Sequence, residues 1–289
     1  MKSSDDDDAT ARTPAPSAAT WSPQASAGWA ANVDYRERLL EGVGDALLAG
    51  ARLEAGQHVL EVGSGAGALA RQLSRHVGAS GRVVGVDISA ELNALAAARS
   101  AQGDNLRFVT ADAQAVDLPR QSFDRLVSRF GIMFFADPTA ALRHLHGLLR
   151  AGGGLHVAVW DSISRNPWAD VVLRACRDHL ALPPRRATPN GAFAFSDAAA
   201  FRSLLVDCGF RRVELQHWQD RVEVGSSLQA CTDIARALLP PGVVTTLFRK
   251  LPPSSQSALL ADIADRLAPY VSSAGVHMPA AAHIVRAIA

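Results

Sequence analysis

The stretch Val59-Leu60-Glu61-Val62-Gly63-Ser64-Gly65-Ala66-Gly67-Ala68-Leu69-Ala70 decides how this chain is read. A short apolar run carries an acidic residue, a glycine turn comes next, and apolar residues then resume. This is the pattern of a strand, a tight turn and a helix start. Glycines at 63, 65 and 67 strip side chains from the turn. A ligand can then lie against backbone N–H groups at a helix N-terminus, where the dipole favours negative charge. The same residues fit the dinucleotide pattern G-x-G-x-x-G/A. The turn alone leaves the ligand open, and residues at fixed distances downstream decide between the readings.

Downstream, strands are expected at Arg82–Val86, ending in Asp87, then at Leu106–Val109, Phe123–Ser128 and Leu155–Trp160. Helices are expected at Leu69–Val77, at Ala90–Arg99 behind a Ser89 cap, and from Asp137-Pro138 to Leu149, where Gly152-Gly153-Gly154 breaks the chain. Strands alternating with helices imply βαβ units, right-handed crossovers and a parallel sheet. Ligands in such sheets bind at the carboxyl ends of the strands. Those ends carry Glu61 and Gly63, Asp87, Asp112, Arg129 and Phe130, and Asp161.

Upstream, Leu39, Leu40, Val43, Leu47 and Leu48 fall on one face of a helix from Tyr35, with Gly50 as its stop signal. Trp21 and Trp29 stand among small residues, as expected of a segment that docks on the core or closes over a ligand. Residues 1–20, with the run Asp5–Asp8, are expected to form a disordered tail. After Trp160 the pattern changes. Trp168–Leu182 reads as a helix, Ser196 as the cap of a helix ending at Gly209, and Arg211–Trp218 as a strand. Residues 226–275 read as mainly helical and Ala282–Ala289 as a last strand. The expected architecture is a Rossmann-like, doubly wound α/β sheet, mostly parallel with an antiparallel last strand, plus a helical cap. Its parts are the tail, a helical lid segment at 21–50, a core at 51–161, cap helices and a late strand at 162–225, a helical insertion at 226–275 and a final core strand at 276–289.

The 289 residues are 48% hydrophobic, enough for a sizeable core, and the net charge is +1. Such a balance gives no electrostatic footprint for nucleic acid or a membrane surface. Cys176, Cys208 and Cys231 are scattered without a C-x-x-C pair, so neither a disulfide framework nor a metal site is expected. With no apolar leader or spanning run, the expected location is cytoplasmic.

The motifs together resemble class I S-adenosylmethionine-dependent methyltransferases, in particular the small-molecule group that includes quinone-biosynthesis enzymes (methyltransferase type 11). Glu61–Gly67 resembles motif I, and Val84-Gly85-Val86-Asp87-Ile88-Ser89 is similar to motif II. Thr110-Ala111-Asp112-Ala113 resembles the adenine-contacting motif. Ser122–Ser128 resembles the approach to the fourth strand, and Leu148–Gly154 the turn into the fifth. The likeness covers residues 57–160 and thins beyond. It implies S-adenosyl-L-methionine as cofactor, S-adenosyl-L-homocysteine as product and a small-molecule acceptor. It implies cofactor contacts at Trp29, Glu61, Gly63, Ser64, Gly65, Gly67, Asp87, Ile88, Leu92, Asp112, Ala113, Arg129 and Phe130, and acceptor contacts at Met133, Phe134 and Trp168.

The residues support part of this independently. Asp87, about 20 positions beyond Gly67, can accept both ribose hydroxyls, and can equally cap the helix at Ser89. Asp112 can take the adenine amino group or serve a turn. Glu61 suits the ammonium of a methionine moiety, which a nicotinamide dinucleotide lacks. Arg129 can equally pair with a surface carboxylate, and Met133, Phe134 and Trp168 can be plain core. No catalytic constellation emerges. Asp161 and His217 are the candidates, while His144 and His146 read as exposed and His156 as packed. Two alternatives stay open. One is a nicotinamide-dependent oxidoreductase, which lacks a Tyr-x-x-x-Lys pair. The other is an S-adenosylmethionine-binding protein without methyl transfer.

Overall fold

A computed structural model describes residues 21–101, 105–182, 191–227, 235, 238, 239 and 243–289. The tail expected at 1–20, Cys231 and part of the 226–275 insertion lie outside the described residues. Five parallel strands form the centre: β1 (His58–Val62), β2 (Arg82–Asp87), β3 (Leu106–Thr110), β4 (Phe123–Arg129) and β5 (Leu149–Trp160). Beyond them lie β6 (Arg211–Gly225), a short β7 (Val271–Ser272) and β8 (Gly275–Ile288). The sheet order is β3-β2-β1-β4-β5-β8-β6, and β8 runs antiparallel to both β5 and β6.

The helices are α1 (Pro23–Ala30), α2 (Val33–Ala51), α3 (Ala68–Val77), α4 (Ala90–Ala98), α5 (Pro138–Leu148), α6 (Pro167–His179), α7 (Ala198–Asp207), α8 (Val243–Lys250) and α9 (Pro253–Leu267). Four caps come from short polar side chains, the first being Ser22 Oγ, which accepts from Ala25 N at the start of α1. Ser89 Oγ accepts from Leu92 N, Asp137 from Ala140 N, and Asp197 from Ala199 N and Ala200 N. Each satisfies amide groups that the first helical turn leaves free. Along α2 the buried positions Tyr35, Leu39, Val43, Leu47 and Ala51 recur every four residues. They lay the helix across β4, β5, β6 and β8. The insertion between β6 and β8 brings α9 against α6, where Arg266 bridges Asp178 and Asp262 and His179 meets Asp262 at 3.2 Å. Among the described residues no helix is long and apolar enough to cross a membrane.

Four local expectations need correction. Gly50 lies inside α2; the helix closes at Arg52, whose φ of 46° takes the left-handed turn usually left to glycine. Asp197, not Ser196, caps α7. Gly152–Gly154 do not separate α5 from a later strand, because β5 already begins at Leu149. The extra residues bulge between the pairs Phe123–Leu149 and Arg125–Gly154, and Gly152 and Gly153 bond to the backbone of Ala289. The last strand is also longer than expected, starting at Gly275.

His156 on β5 is 8% exposed, and its Nδ1 has no hydrogen-bond partner. Burial, with Arg125 and Arg286 nearby, pushes its pKa down from 6.5 to about 4. Between those values the unfolded chain holds a proton that the folded chain refuses. Stability is therefore lost as pH falls through this window. We expect this one group to remove about 2 kcal/mol between pH 7 and pH 5. Urea unfolding at both values should show the loss in the wild type and a markedly smaller one in His156→Gln. Equal losses in the two proteins would contradict it.

Candidate functional site

The strand order reverses between β1 and β4, because the chain leaves β1 for β2 on one side and later returns to β4 on the other. Helices diverge at such a point and leave a crevice at the strands' carboxyl ends. Here the crevice is a cavity of about 440 Å³, within the range of small-molecule sites. Trp29, Glu61, Gly63, Ser64, Gly65, Asp87, Ile88, Leu92, Asp112, Ala113, Arg129 and Phe130 all line it, as do Met133, Phe134 and Trp168.

Three expected residues do not. Gly67 starts α3 at φ 77°, and a Cβ there would sit 2.7 Å from the Phe108 ring, so it serves close packing against β3. Asp161 and His217 stand outside the cavity and engage each other. Asp161 Oδ1 accepts from Ser162 N, and Oδ2 lies 3.1 Å from His217 Nε2 and 3.5 Å from Arg165. His283 Nε2 lies 3.7 Å from the same carboxylate. These contacts fasten the end of β5 to β6 and β8. His144 and His146 are half-buried rather than exposed: one meets Val116 O at 3.0 Å, the other packs edge-on against Phe210. No group of three or more His, Cys, Asp or Glu side chains able to hold a metal occurs among the described residues.

The glycine turn divides its labour. A Cβ on Gly63 would lie 2.7 Å from Gly131 Cα, so this glycine lets the turn after β1 touch the turn after β4. Ser128 Oγ ties the same two turns, donating to Val62 O and accepting from Gly131 N. Gly65 has nothing within 4 Å of its missing Cβ. Of the three glycines in the turn, it is the one where an added Cβ would meet no protein atom, and it lines the cavity.

Asp87 is braced by backbone amides, with Gly65 N at 2.8 Å on Oδ2 and Ser89 N at 2.9 Å on Oδ1. Asp87 thus orders the α4 start while lining the cavity. Burial raises its pKa, and the amides partly offset this. Asp112 is held by Gln114, whose amide oxygen in turn accepts from Ala136 N. Arg129 pairs with Glu37 of α2, a cavity residue rather than a surface one. Gly44 makes room for this arginine, since a Cβ there would be 3.1 Å from Nη1.

Glu61 is 2% exposed, and its Oε2 has no hydrogen-bond partner; Ser64 Oγ is likewise buried and unpartnered. Buried polar atoms are nearly always satisfied, so a pair of orphans inside a cavity points to a ligand. Desolvation pushes the Glu61 pKa well above 4.5, against the pull of Arg129 and with the push of Glu37 and Asp87.

Sequence reasoning missed Tyr35, Arg36, Glu37, Leu39 and Leu40 of α2, and Trp160, as lining residues. The amphipathic α2 pattern was visible, but not which of its turns overhangs the crevice. Arg36 lies 4.1 Å over the Trp29 ring, and Trp160 stacks on Phe130 at 3.9 Å. Gly65→Ala and Gly67→Ala should separate the two roles of the turn. Both pay for a left-handed backbone, but only Gly67→Ala overpacks Phe108, at about 1–3 kcal/mol more. Denaturant unfolding of the two variants checks this, and equal destabilisation would refute the division.

Residues 59–153 match the family model described as "Methyltransferase domain". The ubiquinone/menaquinone biosynthesis C-methyltransferase UbiE of Hahella chejuensis is 40% identical over 110 residues, 36% of this chain and 43% of that protein. The match thus spans less than half of that relative's length. Among solved structures, the YcgJ protein of Bacillus subtilis is 15% identical with a TM-score of 0.56, over 86% of this chain and 98% of its own. Phosphoethanolamine N-methyltransferase 2 of Haemonchus contortus, in complex with phosphomonomethylethanolamine and S-adenosylhomocysteine, is 17% identical with a TM-score of 0.52, over 86% of this chain and 52% of its own. These two likenesses show the fold. The matched sequence contains the glycine turn and the acids at the ends of β1 to β3, so residues 59–153 are similar to a methyltransferase domain.

Proposed function

We propose that the chain is an S-adenosylmethionine-dependent methyltransferase acting on a small-molecule acceptor such as an aromatic or natural-product intermediate. The observation that carries this reading is the buried, unpartnered Glu61 at the mouth of the glycine turn. An ammonium group delivered to Oε2 would satisfy the orphan and favour its ionised form. A dinucleotide would instead bring pyrophosphate towards Glu61, Glu37 and Asp87, three acids around one turn. The cavity residues therefore fit S-adenosylmethionine and oppose the nicotinamide alternative.

Glu61 and Ser64 would hold the methionine end, Gly65 would give backbone access, and Asp87 and Asp112 would take the ribose and the adenine. When bound, the cofactor supplies a methyl group already activated on a sulfonium. What remains for the protein is alignment and exclusion of water. Trp21 and Trp29, edge-to-face at 5.3 Å, and Phe134, 5.5 Å from Trp21, form the cover on the α1 side. No histidine lines the cavity among the described residues, so an acceptor proton has no imidazole to receive it.

Asp87→Ala should weaken S-adenosylhomocysteine binding by roughly 1.5–3 kcal/mol, the range for hydrogen bonds to a charged group. Titration calorimetry on a variant with unchanged circular dichroism measures it. Wild-type affinity in that variant would remove Asp87 from the cofactor site.

A further inference from the structure

The cavity has two chemically different halves. Its charged side chains are Arg36, Glu37, Glu61, Asp87, Asp112 and Arg129, among the described residues. All six come from α2 or from the ends of β1 to β4. The other half is built by α1, the turn after β4, the end of β5, the start of α6 and residues 191–193 and 238–239, and none of these brings a charge to the cavity. Its walls are Trp21, Phe134, Met133, Trp160, Trp168 and Leu173.

One polar handle in this half is already committed. Trp168 Nε1 donates to Asn166 Oδ1 at 3.1 Å, so the indole offers the cavity its ring and not its N–H. Asn166 is fully buried and cannot turn away. Its Nδ2 donates to Asp161 O, Ser162 O and Ala281 O, and its Oδ1 also accepts from Ala281 N. Trp168 is thereby fixed 5.2 Å from Trp160, which is stacked on Phe130. The two guanidinium groups at the boundary are engaged as well, Arg129 with Glu37 and Arg36 over Trp29. Even with Glu61 left out, Glu37, Asp87 and Asp112 outnumber Arg36 and Arg129, so the charged half offers an anion no welcome. A cation reaching the aromatic half would find ring faces but, among the described residues, no carboxylate.

Moving an unpaired charge into such walls costs far more than stacking returns, whereas a flat uncharged ring loses little on leaving water and gains contact with rigid indoles. We propose that the acceptor is a flat, uncharged, largely apolar ring system, seated against Trp168 and Trp160, whose plane Asn166 sets through Trp168. This rests on the methyltransferase reading above and narrows it to electroneutral acceptors. It sets this chain apart from a site built for a phosphorylated amine.

The test uses three probes with one ring and three charges: 2-naphthol, 6-hydroxy-2-naphthoate and 2-naphthylmethylamine. Each is dialysed to equilibrium against the full chain at pH 7 in saturating S-adenosylhomocysteine, whose own binding is titrated in parallel. 2-Naphthol should bind at least tenfold more tightly than either charged ring. Trp168→Ala, and independently Phe134→Ala, should weaken it at least tenfold. A charged ring binding as tightly as 2-naphthol, or neutral binding untouched by both substitutions, would overturn the inference while leaving the cofactor reading in place. Failure of the wild type to bind S-adenosylhomocysteine would overturn both.

Discussion

A carboxyl group buried where the sheet changes direction is the constraint around which this structure is arranged. Glu61 ends up there because β1 lies between β2 and β4, where the strand order reverses. Its neighbours Val59, Leu60 and Val62 are buried in the sheet, so the backbone cannot shift to carry the acid into water. Burial makes it hard to ionise, and Arg129 only partly offsets this. Arg129 is drawn the other way by Glu37, which pins α2 over the crevice. The same ion pair thus closes the site and keeps Glu61 unsatisfied.

Around this point the packing is tight on one side and open on the other. Gly63 and Gly131 touch behind the turn, and Gly67 sits against Phe108, so the turn cannot collapse into the core. Gly65 faces the open side. Polarity then falls off across the cavity, from the acids at the strand ends to the aromatic walls supplied by α1 and α6. Each wall is fixed by contacts outside the cavity. Asn166 and the cluster of Asp161, His217 and His283 anchor the end of β5 and the start of α6 to β8. Asp161 and His217, the residue types that suggest catalysis, stand in this cluster outside the cavity.

The strands β1 to β4, their following helices and the acids at their ends were legible because each βα unit carries local signals: an apolar run, a glycine or capping residue, and helical spacing. β8 was cut short because the successive residues Ala280 and Ala281 are both buried, which erases the alternation that marks a half-buried strand. The strand character of Leu149–Gly154 was hidden for another reason. A run of three glycines reads as a break, yet here it forms a bulge held by the distant Ala289. The aromatic half of the cavity draws on residues 21 to 239, and no local pattern announces that Trp160, Trp168 and Phe134 meet. Asn166 is a similar case, since its partner Ala281 lies 115 positions away.

In the proposed complex, Glu61 gives up its proton to face the cofactor's ammonium. Calorimetric titration of S-adenosylhomocysteine at pH 5.5, repeated in buffers of different ionisation enthalpy, counts the protons exchanged on binding. Because burial raises the Glu61 pKa in the free protein and the ammonium lowers it in the complex, binding must release a proton and must tighten as pH rises. We predict proton release in the wild type that is lost in Glu61→Gln. Binding without proton exchange, with the same heat in both proteins, would contradict the account.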